Sequence, residues 1–362
     1  MNVAPLTRPL AALAISAALI SIVLLMLGAS PVGVYAALWD GAFGNWLVIV
    51  DTFTKSTPLL FCGLAVAVAF EASLWNIGAD GQLLAGAMSA GVVGLTIARW
   101  PHALAVSAFL IAGASGGAAW GAIAGWLRAR RDVNEVITTI MLNFVAAQLL
   151  SWLVHGPLME PSRAYPMSAP IPAAVEMKLY LPPSRLNIGM LLALVMSLLC
   201  YVLLFHTEKG FELRAMGRNW RAAAFFGINT QSLTVWVMGI SGALAGLGGA
   251  AHLAAITHRL YETLSPGWGY EAIAVALIAR LNPLAMVPSA VLFGALDNGA
   301  QAMQRSQGVS PVLVQVIEGL VIMVLLAIDA TAGRTFRNAV SPSPISDENE
   351  SVASGEPIKG LE

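Results

Sequence analysis

The amino-acid sequence predicts an all-α, polytopic membrane helical bundle of about ten transmembrane helices (8–10), with the N- and C-termini in the cytoplasm. Three observations lead there. Of 362 residues, 57% are hydrophobic and 11% are charged, against roughly 25% charged in soluble domains, and a soluble surface could not hide so much apolar side chain. Apolar runs recur at lengths near the ~20 residues needed to cross a bilayer. Around those runs the cations are skewed: with the N-terminus inside, twelve Lys or Arg fall inside, six fall outside and Lys55 lies within a span, as the positive-inside rule requires.

Taken in order, the candidate spans are Leu10–Leu27, Trp46–Phe70, Gly81–Ala98, Ala103–Leu127, Val136–Val154 and Ile188–Phe205, then Leu233–Ala255, Tyr270–Ala279, Leu284–Ala300 and Val312–Ile328. The first is longer than a signal-peptide apolar core and is followed by Ser30-Pro31-Val32, a poor cleavage site, so it is expected to be retained. Asp51, Lys55 and Pro58 interrupt the second and suggest a broken helix. The eighth has about ten residues and reads as a half-helix or re-entrant element. Residues 1–332 therefore form the transmembrane domain. Within it, the external loop 156–187 carries seven prolines and is expected to be an extended, ordered cap. The tail 333–362, acidic and rich in Pro and Ser towards its end, has the composition of a disordered cytoplasmic segment.

A net charge of −1 carries no signature of nucleic-acid binding. Cys62 and Cys200 both lie in apolar runs and suggest neither a disulfide framework nor a metal site. No metal or cofactor is implied. There is no G-x-x-x-x-G-K-[ST], so this chain cannot hydrolyse ATP by the P-loop route. An intramembrane serine protease is suggested by Gly239-Ile240-Ser241-Gly242, but Gly113-Ala114-Ser115-Gly116 fits equally well. His252, eleven residues beyond Ser241, is ~16 Å along the same helix axis and too far to act as its base.

Several polar residues fall where a bilayer makes them costly. Glu71, Asn76, Asp80 and Gln82 sit at a glycine-broken junction between two spans, and Asn143 lies about a turn or so inside another. Charged groups at the membrane centre cost at least ~2.5 kcal/mol and usually face a pathway or a partner. All five are candidate pathway residues; for Glu71 and Asp80 a junction that simply reaches cytoplasmic water is the alternative. Asp51 and Lys55 can pair at i,i+4, while Glu271, Asp297 and Glu318 read as single interfacial acids. Gly113, Gly117, Gly121 and Gly125 recur every four residues and make one helix face for close packing. Gly239, Gly242, Gly246 and Gly249 make a looser one.

The segment 210–229 is a short amphipathic stretch between two long spans, cationic on one side, with Phe225, Phe226 and Ile228 as an apolar anchor. On physics alone it meets either anionic lipid or a partner. Its run ELRAMGRNWRAAAFFGIN resembles the coupling segment of the ABC-importer permeases of the branched-chain amino acid and ribose-type superfamily. Three more runs resemble the nucleoside and simple-sugar branch: WNIGADGQLLAGA, with Asp80 where Glu is common; NEVITTIMLNFVA; and YEAIAVALIARLNPLAMVPSAVLFGAL. Together they cover most of 70–296, in order.

The resemblance implies a pore-forming subunit of the bacterial inner (plasma) membrane, itself non-catalytic. Its implied partners are a cytoplasmic ABC ATPase, a second permease (identical or related) and an extracytoplasmic solute-binding protein. The ATPase contact would fall on Glu212, Arg214, Ala215, Gly217, Arg218, Asn219, Ala222, Ala223 and Gly227, with Arg221 where relatives often carry Glu. Nucleosides or purines are the first expected solutes, simple sugars the second and branched-chain amino acids the third. The competing class is an ion-coupled secondary carrier, which also uses interrupted spans but has no need of a cationic cytoplasmic segment.

Overall fold

The computed structural model describes residues 28–177 and 186–308 continuously, most of 15–26, and residues 312, 313, 316 and 319. Most of the expected last span, the 333–362 tail, residues 178–185 of the external loop and part of the first span lie outside the described residues. Among the described residues the regular structure is helical, apart from two isolated β-bridges. The elements are α1 (Ala17–Met26), α2 (Pro31–Phe43), α3 (Trp46–Glu71), α4 (Ala79–Thr96), α5 (His102–Arg131), α6 (Glu135–His155), α7 (Ile188–His206), α8 (Glu208–Arg218), α9 (Trp220–Phe225), α10 (Thr230–His252) with a π-helical turn over Leu253–Thr257, α11 (Trp268–Ile278) and α12 (Met286–Gln307).

Among the described residues, five helices are long and apolar enough to cross a membrane: α3, α5, α6, α7 and α10 with its π turn. The helix α4 also lies in the bundle, but it opens on Asp80 and Gln82 and is rich in glycine. Asp297, Asn298, Gln301, Gln304 and Arg305 dilute α12 in the same way. With 11 residues, α11 reaches only ~16 Å at 1.5 Å per residue, about half of a ~30 Å hydrocarbon core.

At the centre runs α3, every residue from Ser56 to Ala69 buried by α10, α11 and α12. The break expected near Pro58 is absent, and the helix is continuous through it. Proline removes one ladder hydrogen bond, the one to the Thr54 carbonyl, and in a membrane packed neighbours compensate. The hydroxyls of Thr54, Ser56 and Thr57 donate to other carbonyls of the same helix, those of Val50, Thr52 and Phe53. Tight packing then holds the proline in line.

The glycines of α5 lie against α10. A Cβ at Gly117 would run into the Gly242 carbonyl, one at Gly121 into the Met238 carbonyl, and one at Gly113 would come 2.5 Å from the Ala250 methyl. Gly125 faces Met238 at 2.9 Å in the same sense. On α10, Gly242 and Gly246 face α5, Gly249 faces Leu83 of α4, and Gly239 meets nothing nearer than 3.9 Å. Backbone contact replaces side-chain interdigitation along this seam, which is how helices associate where lipid is as apolar as leucine.

Opposite α8 and α9, residues 156–177 form no helix. They run along the chain that follows α10, with Ser168, Ile171 and Met177 N–H groups donating to the Leu260, His258 and Ala254 carbonyls at 2.8–2.9 Å. Glu160 and Arg259 form an ion pair across this contact.

Candidate functional site

Two linked constellations carry the chemistry-bearing residues. The first is the α8–α9 pair. Thr207 caps α8, accepting from the Gly210 N–H at 3.0 Å, and Asn219 both ends α8 and caps α9 by accepting from Ala222 N–H at 3.0 Å. Leu213, Met216 and Ala223 are buried against the bundle. Arg214 lies over the Phe205 ring at 5.1 Å, and Lys209 pairs with Glu212 at 2.7 Å. Phe211, Trp220, Phe225 and Phe226 point away from the bundle, the last two 87% and 82% exposed. Gly227 takes a left-handed φ of +90°, the conformation glycine adopts without strain.

The joint between this pair and the bundle is Gly217. A Cβ there would collide with the Glu71 carbonyl at the end of α3, and the Ser73 hydroxyl donates to the Gly217 carbonyl at 2.6 Å.

Three residues beyond Ser73 begins the second constellation. The chain turns back into the bundle, so that α4 starts inside it. Asn76 Nδ2 donates to Gln82 Oε1 at 2.9 Å and to Ser241 Oγ at 2.7 Å, while Gln82 Nε2 returns a bond to Asn76 Oδ1 at 3.1 Å. The Ser241 hydroxyl in turn donates to the Ala65 carbonyl at 2.6 Å. Asn143 Oδ1 accepts from Gly81 N–H at 2.8 Å, and its Nδ2 donates to the Ile77 carbonyl and the Tyr270 hydroxyl at 2.8 and 2.9 Å. Asp80 Oδ1 accepts from the Ser265 hydroxyl at 2.6 Å and from Gly269 N–H at 3.1 Å. Asn76, Gln82 and Asn143 are 0%, 1% and 4% exposed, so each amide is satisfied within the bundle, as burial in low dielectric demands.

Residues 48–326 match the family described as the branched-chain amino acid transport system / permease component. The chain belongs to this permease family. Among its relatives, the glucose ABC transporter permease protein TsgB13 of Haloferax volcanii is 32% identical over 89% of this chain and 86% of that protein. The guanosine ABC transporter permease protein NupP of Bacillus subtilis is 34% identical over 87% and 91%. The nucleoside ABC transporter permease protein NupB of Lactococcus lactis is 31% identical over 87% and 88%.

The structure of the permease gathers Asn76, Asp80, Gln82 and Asn143 around the start of α4. It leaves Glu71 apart, beside α8. Two sequence expectations are corrected. Lys55 does not pair with Asp51: its Nζ lies 3.0 Å from Asp297 Oδ2 on α12, at an angle outside hydrogen-bond geometry, because packing of α12 on α3 brings in a carboxylate that sequence spacing cannot anticipate. The apolar anchor of the coupling segment is also divided. Ile228 packs on the core, whereas Phe225 and Phe226 stack edge-on against each other in the open.

Ser73, Ser241, Ser265 and Tyr270 were not marked as site residues by sequence reasoning. Their bonds span 144, 165, 185 and 127 residues, so no local pattern announces them. Ser241, one of the two serines noted for a protease-like motif, is committed to Asn76 and Ala65, and His252 stacks edge-on against Trp268 with ring centroids 4.6 Å apart.

Proposed function

We propose that this permease is the membrane subunit of an ABC importer for nucleosides or sugars, working with a separate ATPase, a second permease and an extracytoplasmic solute-binding protein in a bacterial inner membrane. Three relatives named for glucose, guanosine and nucleosides support that solute class. The observation that carries the reading is the Gly217 joint. An outward-facing aromatic and cationic surface is fastened, through Ser73 and the end of α3, to the chain that enters the polar constellation three residues later.

In this reading the N- and C-termini are cytoplasmic, ten helices span the membrane, and α8–α9 seat on the ATPase through Glu212, Arg214, Ala215, Gly217, Arg218, Asn219, Ala222, Ala223 and Gly227. ATP-driven closure of the two ATPases displaces α8. The displacement passes to Glu71 and Ser73 and reaches Asn76, Asp80, Gln82 and Asn143, which frame the pathway and alternate its access. The permease contributes no catalytic group; the hydrolysis that drives the cycle belongs to the partner.

Reconstitution with the ATPase and binding protein tests this. Uptake of radiolabelled nucleoside or sugar should require ATP and stop when hydrolysis is blocked. Uptake that continues with hydrolysis blocked and follows an ion gradient would instead identify a secondary carrier, the reading that the half-helix α11 favours.

A further inference from the structure

Asp80 stands in the first turn of α4, and its bonds reach away from that helix. One oxygen, Oδ1, takes both the Ser265 hydroxyl and the Gly269 N–H. Ser265 precedes α11, and Gly269 is in its first turn, where backbone N–H groups have no partner within the helix. Packing repeats the connection: a Cβ on Gly269 would meet the Asp80 Cβ at 2.6 Å. The starts of α4 and α11, 189 residues apart, therefore form one joint.

Each side of that joint leads somewhere. Back along the chain, Gly81 is held by Asn143, Asn76 by Gln82 and Ser241, and Ser73 by Gly217 of the coupling helix. Forward, Gly269 is followed by Tyr270, 43% exposed, and by Glu271, half-buried, whose carboxylate has no hydrogen-bond or ion-pair partner among the described residues. The first turn of α11 packs on the start of α4, with Gly269 and Ala272 buried. A carboxylate is suited to this place. Charge-assisted bonds are roughly twice as strong as neutral ones, and a helix N-terminus favours negative charge.

We propose that Asp80 is a positioning residue: it ties the half-helix α11 to the segment driven by the coupling helix, so that displacement of α8 is delivered to Tyr270 and Glu271. The permease reading above is its premise. At its place beside the pathway, Asp80 acts by holding α11 in register with α4. Energetic coupling of this kind needs an element that both ends bias, and α11, short and held at its first turn, is that element.

The test compares Asp80→Ala and Asp80→Asn in the reconstituted complex with ATPase and binding protein, measuring uptake and ATP hydrolysis together. Asp80→Ala should hydrolyse ATP at close to the wild-type rate while uptake per ATP falls about tenfold, within the usual range of coupling between sites. Asp80→Asn keeps an acceptor oxygen and should stay within about threefold of wild type. Equal loss of uptake and hydrolysis in Asp80→Ala, an unchanged ratio, or failure of Asp80→Asn to rescue would each overturn the proposal. If Asp80→Ala does not assemble, Ser265→Ala decides. A reduced uptake-to-ATP ratio supports the tether, and an unchanged one removes it. A wild-type complex without ATP-dependent uptake would instead defeat the permease reading itself.

Discussion

The hydroxyl of Ser73 and the carbonyl of Gly217, 144 residues apart, meet at 2.6 Å. This bond fastens α8 to the end of α3 at Gly217, where α8 has no side chain to hold it away. Gly217→Val should therefore push α8 off the Glu71 carbonyl. The expected outcome is normal membrane insertion with uptake reduced more than about tenfold, since overpacking costs on the order of 1–3 kcal/mol. Uptake at wild-type level would show that the joint is dispensable.

The outward side chains of α8 and α9 make a complementary case. Arg218 and Phe225 are exposed, so Arg218→Glu and Phe225→Asp should alter stability by no more than about 0.5 kcal/mol. Both should abolish co-purification with the ATPase. Retained co-purification in both variants would place the ATPase contact elsewhere.

Along the glycine seam, Gly117 and Gly239 should behave in opposite ways. Gly117→Ala puts a methyl into the Gly242 carbonyl and should lower the midpoint of thermal denaturation in detergent. Gly239→Ala makes only an ordinary contact, 3.9 Å from the Ala118 carbonyl, and should raise it slightly, because alanine is favoured over glycine in a helix by roughly 1 kcal/mol. Equal shifts would argue against close α5–α10 contact.

The Lys55–Asp297 pair links α3 and α12, with side chains 24% and 43% exposed. Lys55→Met alone leaves a carboxylate unpaired, while Lys55→Met with Asp297→Asn removes both charges. The double variant should be the more stable of the two, with a coupling energy of roughly 1 kcal/mol for a partly exposed pair. Additive effects in the cycle would mean that the two charges do not interact.

On the cap, the Ser162 hydroxyl and then the Arg259 guanidinium hold the Glu160 carboxyl below its usual range. A carboxylate depressed in the folded state adds stability above its unfolded value of about 4.3, and that stability is lost as pH falls through the folded value. Amide exchange in 159–168, corrected for intrinsic rates, should stay constant from neutral pH to about 5 and quicken below that. Glu160→Gln should remove the acid-dependent step, and an unchanged step in that variant would assign it to another group.

Much of the fold was legible because hydrophobicity and chain breaks are local properties. The apolar runs at 46–70, 103–127, 136–154, 188–205 and 233–255 each correspond to a helix in the structure. The short run before Ala279 is the 11-residue α11. The fourfold glycine spacing on α5 marks a face whatever packs on it. Pro58 was misleading for the opposite reason: its tolerance depends on the helices packed around it, and proline's local preference carries none of that information.

The functional constellation divides in the same way. Asn76, Asp80, Gln82 and Asn143 stood out because polar residues in apolar surroundings are costly wherever the bundle places them. Many of the groups they bond lie 62–189 residues distant. By itself, then, the sequence determined the membrane setting, the helices and the residues that could not face lipid, since each follows from a side chain's own transfer free energy. The tertiary structure decided that Lys55 meets Asp297 and not Asp51, that Asp80 holds α11, and that Gly217 abuts Glu71. Those pairings depend on the rotation and depth of whole helices, which no local segment encodes.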